Sequence, residues 1–178
     1  ERDEAYQAQA PGLWDVTFQT AVAHAELEAR EYPGAYHSLA FHGQGGDVVI
    51  ETTRPELLPA CVALIAHPDD ERYSRLFGTT VTSPIFDVEL PVLAHPAAEM
   101  DKGAGCTFGD LTDVVWWREL GLPMRSVLGK DGRIVAQTPE WIASERGVAA
   151  YEAMAGKTAF SAREALVEAL TSSGEMLG

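Results

Sequence analysis

Val48-Val49-Ile50-Glu51-Thr52-Thr53-Arg54-Pro55-Glu56 passes from an apolar strand into a proline turn, and so marks where a sheet of this protein ends. Val48, Val49 and Ile50 are β-branched and favour extended backbone, and Thr52 and Thr53 are equally at home there. Arg54 precedes a proline, which pushes its own backbone toward an extended form, and the chain turns out of the sheet at that point. Threonine hydroxyls at a sheet edge can position a water or a ribose, although plain strand membership accounts for them too. Arg54 either meets a phosphate or pairs internally with Glu56 or Asp110.

Working outward, Tyr36-His37-Ser38-Leu39-Ala40-Phe41 reads as the preceding strand, after a Tyr32-Pro33-Gly34 turn, with Gly43-Gln44-Gly45-Gly46 separating the two as in a meander. Trp14, Val16, Phe18, Thr20 and Val22 alternate with polar or small residues and predict a half-buried strand that starts the fold. Residues 57–66 are rich in Leu and Ala, and residues 69–76 begin with two acids, so short helices are expected there. Residues 79–81 and 88–93 read as further strands. Val114, Trp117 and Leu120, with Leu111 behind them, recur at helical spacing up to Gly121 and Pro123, and predict the clearest helix. Lys130-Asp131-Gly132 is a hairpin signal between residues 124–128 and 133–135. Residues 144–155 and 161–170 read as two helices, the second with Ser161 as N-cap and Glu164 completing a capping box. Strands in the body and helices at the rim and tail give an α+β domain around a curved or closed sheet.

The chain's 178 residues, 46% of them hydrophobic, fit one globular domain. Cys61 and Cys106 are too few for a disulfide scaffold, no zinc-ligand spacing occurs, and a reducing cytoplasm fits best. No apolar run approaches the roughly 20 residues that span a bilayer, so no membrane partner is expected. The missing initiator Met and the ending Met176-Leu177-Gly178 read as a piece of something longer. Twenty-seven acidic against thirteen basic residues give a net charge of −14, which repels a polyanion at long range and argues against a general DNA or RNA binder. Within residues 114–133, however, Arg118, Arg125, Lys130 and Arg133 face only Glu119 and Asp131. They form either a phosphate track or scattered solvated charges.

Chemistry concentrates in Cys106-Thr107-Phe108-Gly109-Asp110-Leu111-Thr112-Asp113, ahead of the clearest helix. Asp is a good N-cap and an acid in the first turn is stabilised by the macrodipole, so capping alone accounts for both Asp110 and Asp113. The same physics serves a function. A carboxylate held ionised at a helix N-terminus can accept an ammonium group, while the neighbouring N–H groups face negative charge developing on an ester oxygen. Paired with the threonine turn, Asp113 favours that second role, and Asp110 stands between capping and substrate contact. His67 and His95 each precede a proline, and with His24, His37 and His42 they form no metal-ligand pattern. Cys106 has no histidine near it in sequence to activate it. Trp116-Trp117 suits a base stack less well than a core position, and Gly103-Ala104-Gly105 reads as a tight backbone passage.

The threonine turn and the Thr-Phe-Gly-Asp-x-Thr-Asp run together resemble the editing domain of valyl-tRNA synthetase, in its archaeal-like and actinobacterial form. The resemblance runs from Trp14 through Ser161-Ala162-Arg163. Relatives that act on leucine usually have Asp where Glu56 stands, and those that act on isoleucine lack the Arg54 equivalent. The resemblance implies a mixed, barrel-like sheet with peripheral helices, the editing-domain fold of the class I valine, isoleucine and leucine enzymes. It implies one domain over residues 1–178, with 1–12 and 159–178 as connections to a catalytic domain. The His-Ile-Gly-His and Lys-Met-Ser-Lys-Ser motifs of that catalytic domain do not occur here, so this fragment alone is expected not to activate valine.

Carried over residue by residue, Asp113 matches the acid that holds the substrate amino group and Asp110 the other acid of the pocket. Thr52 and Arg54 match the threonine-rich element. The resemblance implies hydrolysis of threonine wrongly esterified to tRNA(Val), with Thr52 and Asp113 as catalytic residues and Thr53, Arg54 and Asp110 as substrate contacts. Arg118, Arg125, Lys130 and Arg133 are the candidate tRNA contacts. No metal or cofactor is expected for editing, since ATP and Mg belong to the catalytic domain. The expected partners are that domain and the 3′ end of tRNA(Val). A reading of another class is a non-catalytic module gripping the tRNA acceptor end. Three departures stand out: Leu57 replaces a further Thr, the Lys often found before the paired acids has no counterpart, and Gly105 abuts Cys106 where several residues normally intervene.

Overall fold

A computed structural model describes residues 12–23, 28, 34–101, 103–106 and 111–178. The Tyr32-Pro33 part of the expected turn, His24 and the Thr107-Phe108-Gly109-Asp110 run lie outside the described residues. The threonine stretch lies where the sequence reading puts it, at the end of a hairpin. Strand β3 (His37–Gly43) pairs antiparallel with β4 (Gly46–Thr52), from His37↔Thr52 to Gly43↔Gly46, around a two-residue turn. Val48 and Ile50 of β4 are buried while Asp47, Val49 and Glu51 are exposed, the alternation of a strand with one face on a core.

The main sheet has six strands in the order β4-β3-β6-β7-β5-β8, where β5 is Leu64–Ala66, β6 Thr80–Thr82, β7 Glu89–Ala94 and β8 Gly105–Cys106. Every pairing is antiparallel except β5 with β7. The sheet curls until Cα atoms of its two edges, β4 and β8, come within 8 Å of each other, so it is a half-closed barrel. Helices α1 (Leu111–Glu119), α2 (Glu145–Met154) and α3 (Ala159–Ser173) lie around it, which makes the domain α+β as expected. Strand β5 is buried on both faces. Leu64 and Ala66 join the large core with Phe41, Leu90 and Leu166, whereas Ala63 and Ile65 join a smaller one with Ala98 and Trp116 of α1.

Several expectations change. The alternating residues 14–22 do not form one strand: β1 (Trp14–Asp15) and β2 (Thr20–Ala21) pair as a hairpin. Asp15 Oδ1 accepts the N–H groups of Thr17 and Phe18, and Gln19 takes a left-handed φ of 52°, so the chain reverses inside the alternating run and leaves Phe18 exposed at the tip. The hairpin docks on the Asp-Gly turn, with Trp14 Nε1 donating to Lys130 O and Val16 lying over Gly132. That turn closes through only one isolated bridge, Leu128↔Ile134.

Residues 57–66 contain no α-helix. Pro55–Ala60 is a 3-10 helix, since Pro59 has no N–H for an α-helical bond to Pro55, and β5 follows it. Its unbroken apolar run is that of a strand covered on both faces, which sequence alone does not separate from a buried helix. Residues 69–76 are successive turns instead of a helix, with Tyr73 N–H to Asp70 O at 3.1 Å and Leu76 N–H to Tyr73 O at 2.8 Å. Helix α3 starts earlier than expected, at a Thr158 cap whose hydroxyl accepts the Ser161 N–H, and it ends at left-handed Gly174. Its buried Ala162, Leu166 and Leu170 enter the core, and Ser38 bonds to Leu177 and Gly178, so residues 159–178 are integral to the described fold. Cys61 is buried and disulfide-bonded, which the cysteine count and the reducing environment inferred from it did not anticipate.

Candidate functional site

A cleft of about 220 Å³ opens where the half-barrel fails to close. Ile50, Glu51 and Thr52 of β4 border one side, and Gly103, Ala104 and Gly105 leading into β8 border the other. Ala97, Ala98 and Glu99 and, from α1, Thr112 and Trp116 complete the wall. Small side chains make this space. A Cβ on Gly105 meets the Trp116 ring at 3.3 Å, and Gly103 holds a φ of 73° beside the Tyr73 hydroxyl. The tight passage read from Gly103-Ala104-Gly105 is thus also a cleft wall. Arg72 braces this loop, giving Asp70 a two-pronged ion pair and donating to Met100 O at 2.5 Å.

Thr52 reaches the cleft for a reason visible in its strand. It follows Val48 and Ile50 at period two and therefore shares their inward face. Its Oγ1 accepts the Arg54 N–H at 3.0 Å, which leaves the hydroxyl hydrogen for an acceptor. Thr53 is exposed and does not border the cleft. Arg54 takes the internal partner that the sequence allowed, with Nε 3.4 Å from Glu56 Oε1. Glu56 is fully buried. Burial opposes its charge, but hydrogen bonds from Arg163 at 2.8 Å to each oxygen, and the Arg54 charge, hold its carboxyl below the ordinary value.

On α1, Thr112 and Trp116 are four residues apart and share the face toward the cleft. Asp113 lies beside Thr112 in the first turn, is 8% exposed, and points roughly 100° around the helix from it. Asp110 lies outside the described residues. The buried Trp is Trp116, where the spacing of Val114, Trp117 and Leu120 pointed to Trp117. Behind it, His95 is 5% exposed, its Nδ1 accepts the Ala97 N–H, and its Nε2 therefore carries the hydrogen donated to Glu119 at 2.8 Å. His67 repeats the motif on the adjacent parallel strand, taking the Asp69 N–H at 3.1 Å. Both histidines are hydrogen-bonded turn residues, and no group of metal-ligating side chains occurs among the described residues.

The four candidate tRNA contacts separate. Arg118 is exposed on α1. Arg125 is part of the fold: it donates to Cys61 O at 2.5 Å and lies over the Trp141 ring, and burial lowers its pKa. Lys130 stands over the Trp14 ring, and exposed Arg133 reaches Gly156 O at 3.0 Å. Glu99 and Glu51 border the cleft without having been singled out in the sequence. Proximity to the glycine run and to Thr52 was the only signal for them.

No family model matches the chain. Valine–tRNA ligase of Cutibacterium acnes is 69% identical to it over 182 aligned positions, covering 99% of this chain and 21% of that protein. The enzymes of Leifsonia xyli and Thermobifida fusca are 63% and 64% identical with similar coverage. The chain thus spans about a fifth of the length of the curated relatives it matches. Since 182 aligned positions exceed 178 residues, at least four positions of each relative have no counterpart here. Among solved structures, LeuRS of Agrobacterium radiobacter, in a ternary complex with tRNA and LeuAMS, superposes with a TM-score of 0.57 over 79% of this chain and 19% of that one. At 17% identity that likeness concerns the fold alone. No described helix is long and apolar enough to cross a membrane. Across nearly its whole length the chain is thus similar, at 63–69% identity, to a segment that makes up about a fifth of valine–tRNA ligases.

Proposed function

We propose that this segment is the editing domain of a valine–tRNA ligase and hydrolyses the ester of threonine mischarged on tRNA(Val). One observation carries this reading: Thr52 and the first turn of α1, sixty residues apart in the chain, border the same cleft. Threonine is isosteric with valine, and an apolar synthetic pocket rejects it only about a hundredfold, as the handling of threonine by this very class of enzyme illustrates. A second, polar pocket can instead select the hydroxyl.

In the proposed reaction the 3′ end of the tRNA places its threonyl ester in the cleft. Glu99 and Glu51 at the border offer negative charge to the α-ammonium, backed by Asp113, which stands beside Thr112 in the first turn of α1 and does not itself border the cleft. Asp110 tests the side-chain hydroxyl, and Thr53, which does not border the cleft, takes no part in it. Thr52 orients a water that adds to the ester carbonyl carbon. N–H groups at the start of α1 face the oxyanion, the bond to the ribose oxygen breaks, and that oxygen takes up a proton to leave free threonine and tRNA. Valine leaves the polar groups unpaired and is spared. An aminoacyl ester is reactive enough that positioning and electrostatics suffice for such a site. Valine activation with ATP and Mg belongs, on this reading, to the remainder of the enzyme.

Deacylation of Thr-tRNA(Val) by the full-length enzyme tests it. Asp113→Ala is expected to slow hydrolysis about a hundredfold, and an unchanged rate would leave the non-catalytic acceptor-end module as the better reading.

A further inference from the structure

We propose that Glu56, gripped by Arg163, is a positioning residue that sets the turn carrying Thr52, an assignment whose kinetic consequence rests on the editing reading above. Glu56 is 0% exposed, and a carboxylate removed from water must be paired to stay charged. Its partner comes from α3, 107 residues further on. Arg163 Nε meets Oε2 and Nη2 meets Oε1, both at 2.8 Å, a planar two-pronged pair. Oε1 also faces Arg54 Nε at 3.4 Å, so one carboxylate ties α3 to the residue at which the turn leaves the sheet.

From Arg54 the connection to the cleft is one hydrogen bond long. The Arg54 N–H donates to Thr52 Oγ1 at 3.0 Å and fixes which way that hydroxyl can donate. The 3-10 helix is also held from outside, by Trp141 Nε1 on Pro59 O at 2.9 Å, so the turn has little freedom except through Glu56. Lysine at position 163 keeps the positive charge and loses the fork. Glu56 then stays paired, the core survives, and only the register of the turn relaxes.

In the full-length enzyme, Arg163→Lys is expected to lower kcat for Thr-tRNA(Val) hydrolysis about tenfold or more while KM stays within about twofold. Melting should remain near the wild-type temperature. Glu56→Gln should lower kcat alike but also lower the melting temperature, since it leaves the Arg163 and Arg54 charges without their buried counterion. In the 178-residue chain, labelled threonine methyl groups give a readout independent of activity: Arg163→Lys should shift the Thr52 methyl resonance and leave that of Thr171, on the far end of α3, in place. An unmoved Thr52 methyl overturns the proposal. So does a fall in kcat that only tracks lost stability, or one matched by a rise in KM. If Asp113→Ala hydrolyses normally, the editing reading falls while the Thr52 methyl still decides the clamp.

Discussion

Thr52 and Thr53 are the same residue type in adjacent positions, and only the first, the last residue of β4 and on the face of Val48 and Ile50, borders the cleft. That distinction was legible in Val48, Ile50 and their exposed neighbours. What the sequence did not reveal was the buried charge elsewhere. Glu175 accepts the Ile85 N–H at 3.2 Å, meets His42 Nε2 at 2.9 Å and faces Arg146 at 3.3 Å, and Arg146 also grips Asp87. Burial opposes the Glu175 charge, but hydrogen bonds from Ser173, His42 and Ile85 and the Arg146 charge hold its carboxyl below 4.5. Hydrogen bonds to Asp47 and Glu175 raise His42 above 6.5. The two signs differ. Stability from His42 is complete below pH 6.5 and fades as pH rises through the folded value, whereas stability from Glu175 and Glu56 is present above 4.5 and lost as pH falls through theirs. The urea midpoint should therefore be highest between those limits. In Glu175→Gln the acid limb should flatten and the His42 titration, followed by NMR, should move down toward its ordinary value. An unshifted His42 midpoint would break the assigned link.

Among the elements, β5 and the stretch before it were hardest to read. A run such as Cys61-Val62-Ala63-Leu64-Ile65-Ala66 satisfies both a buried helix and a two-faced strand, and only its neighbours β7 and β8 decide. The capping of α3 was missed for a related reason: Thr158 and Ser161 are both good caps, and the Arg133↔Thr158 bridge holds the chain extended at the earlier one. Two substitutions test element packing. Leu166→Ala on the inner face of α3 should destabilise the chain by about 2–5 kcal/mol in denaturant unfolding. Gly105→Ala puts a methyl 3.3 Å from Trp116 and should cost about 1–3 kcal/mol through overpacking. It should also shift the tryptophan emission, because Trp116 must yield into the cleft. Phe18→Ser, at the 80% exposed hairpin tip, should change stability by less than about 0.5 kcal/mol.

At the scale of the molecule, a body of net charge −14 has to admit a polyanion if it is to handle tRNA. Attraction must then come from a few local cations, and the structure separates those that have other duties from those that face solvent. In the full-length enzyme, Arg118→Glu should weaken tRNA binding and reduce the salt slope by about one. Arg125→Glu should instead lower the melting temperature, since it leaves the Cys61 carbonyl without its donor and puts a carboxylate against Trp141. The reverse pattern, with Arg118 silent and Arg125 setting the salt slope, would place the RNA at Arg125 and overturn this division.

The sequence by itself determined the α+β class, the β3–β4 hairpin, the three helices and the resemblance to valyl-tRNA synthetases, because strand alternation, helical spacing and short motifs are local properties of the chain. It also pointed to Thr52, which borders the cleft, whereas Asp113 stands one residue from the bordering Thr112. Only the tertiary structure decided that Thr52 and the start of α1 meet, since their approach depends on β5 inserting between β7 and β8 and curling the sheet until its edges nearly touch. The same holds for Glu56 and Arg163: a pairing across 107 residues leaves no periodic trace, and the need to neutralise a carboxylate shut away from water is what brings them together.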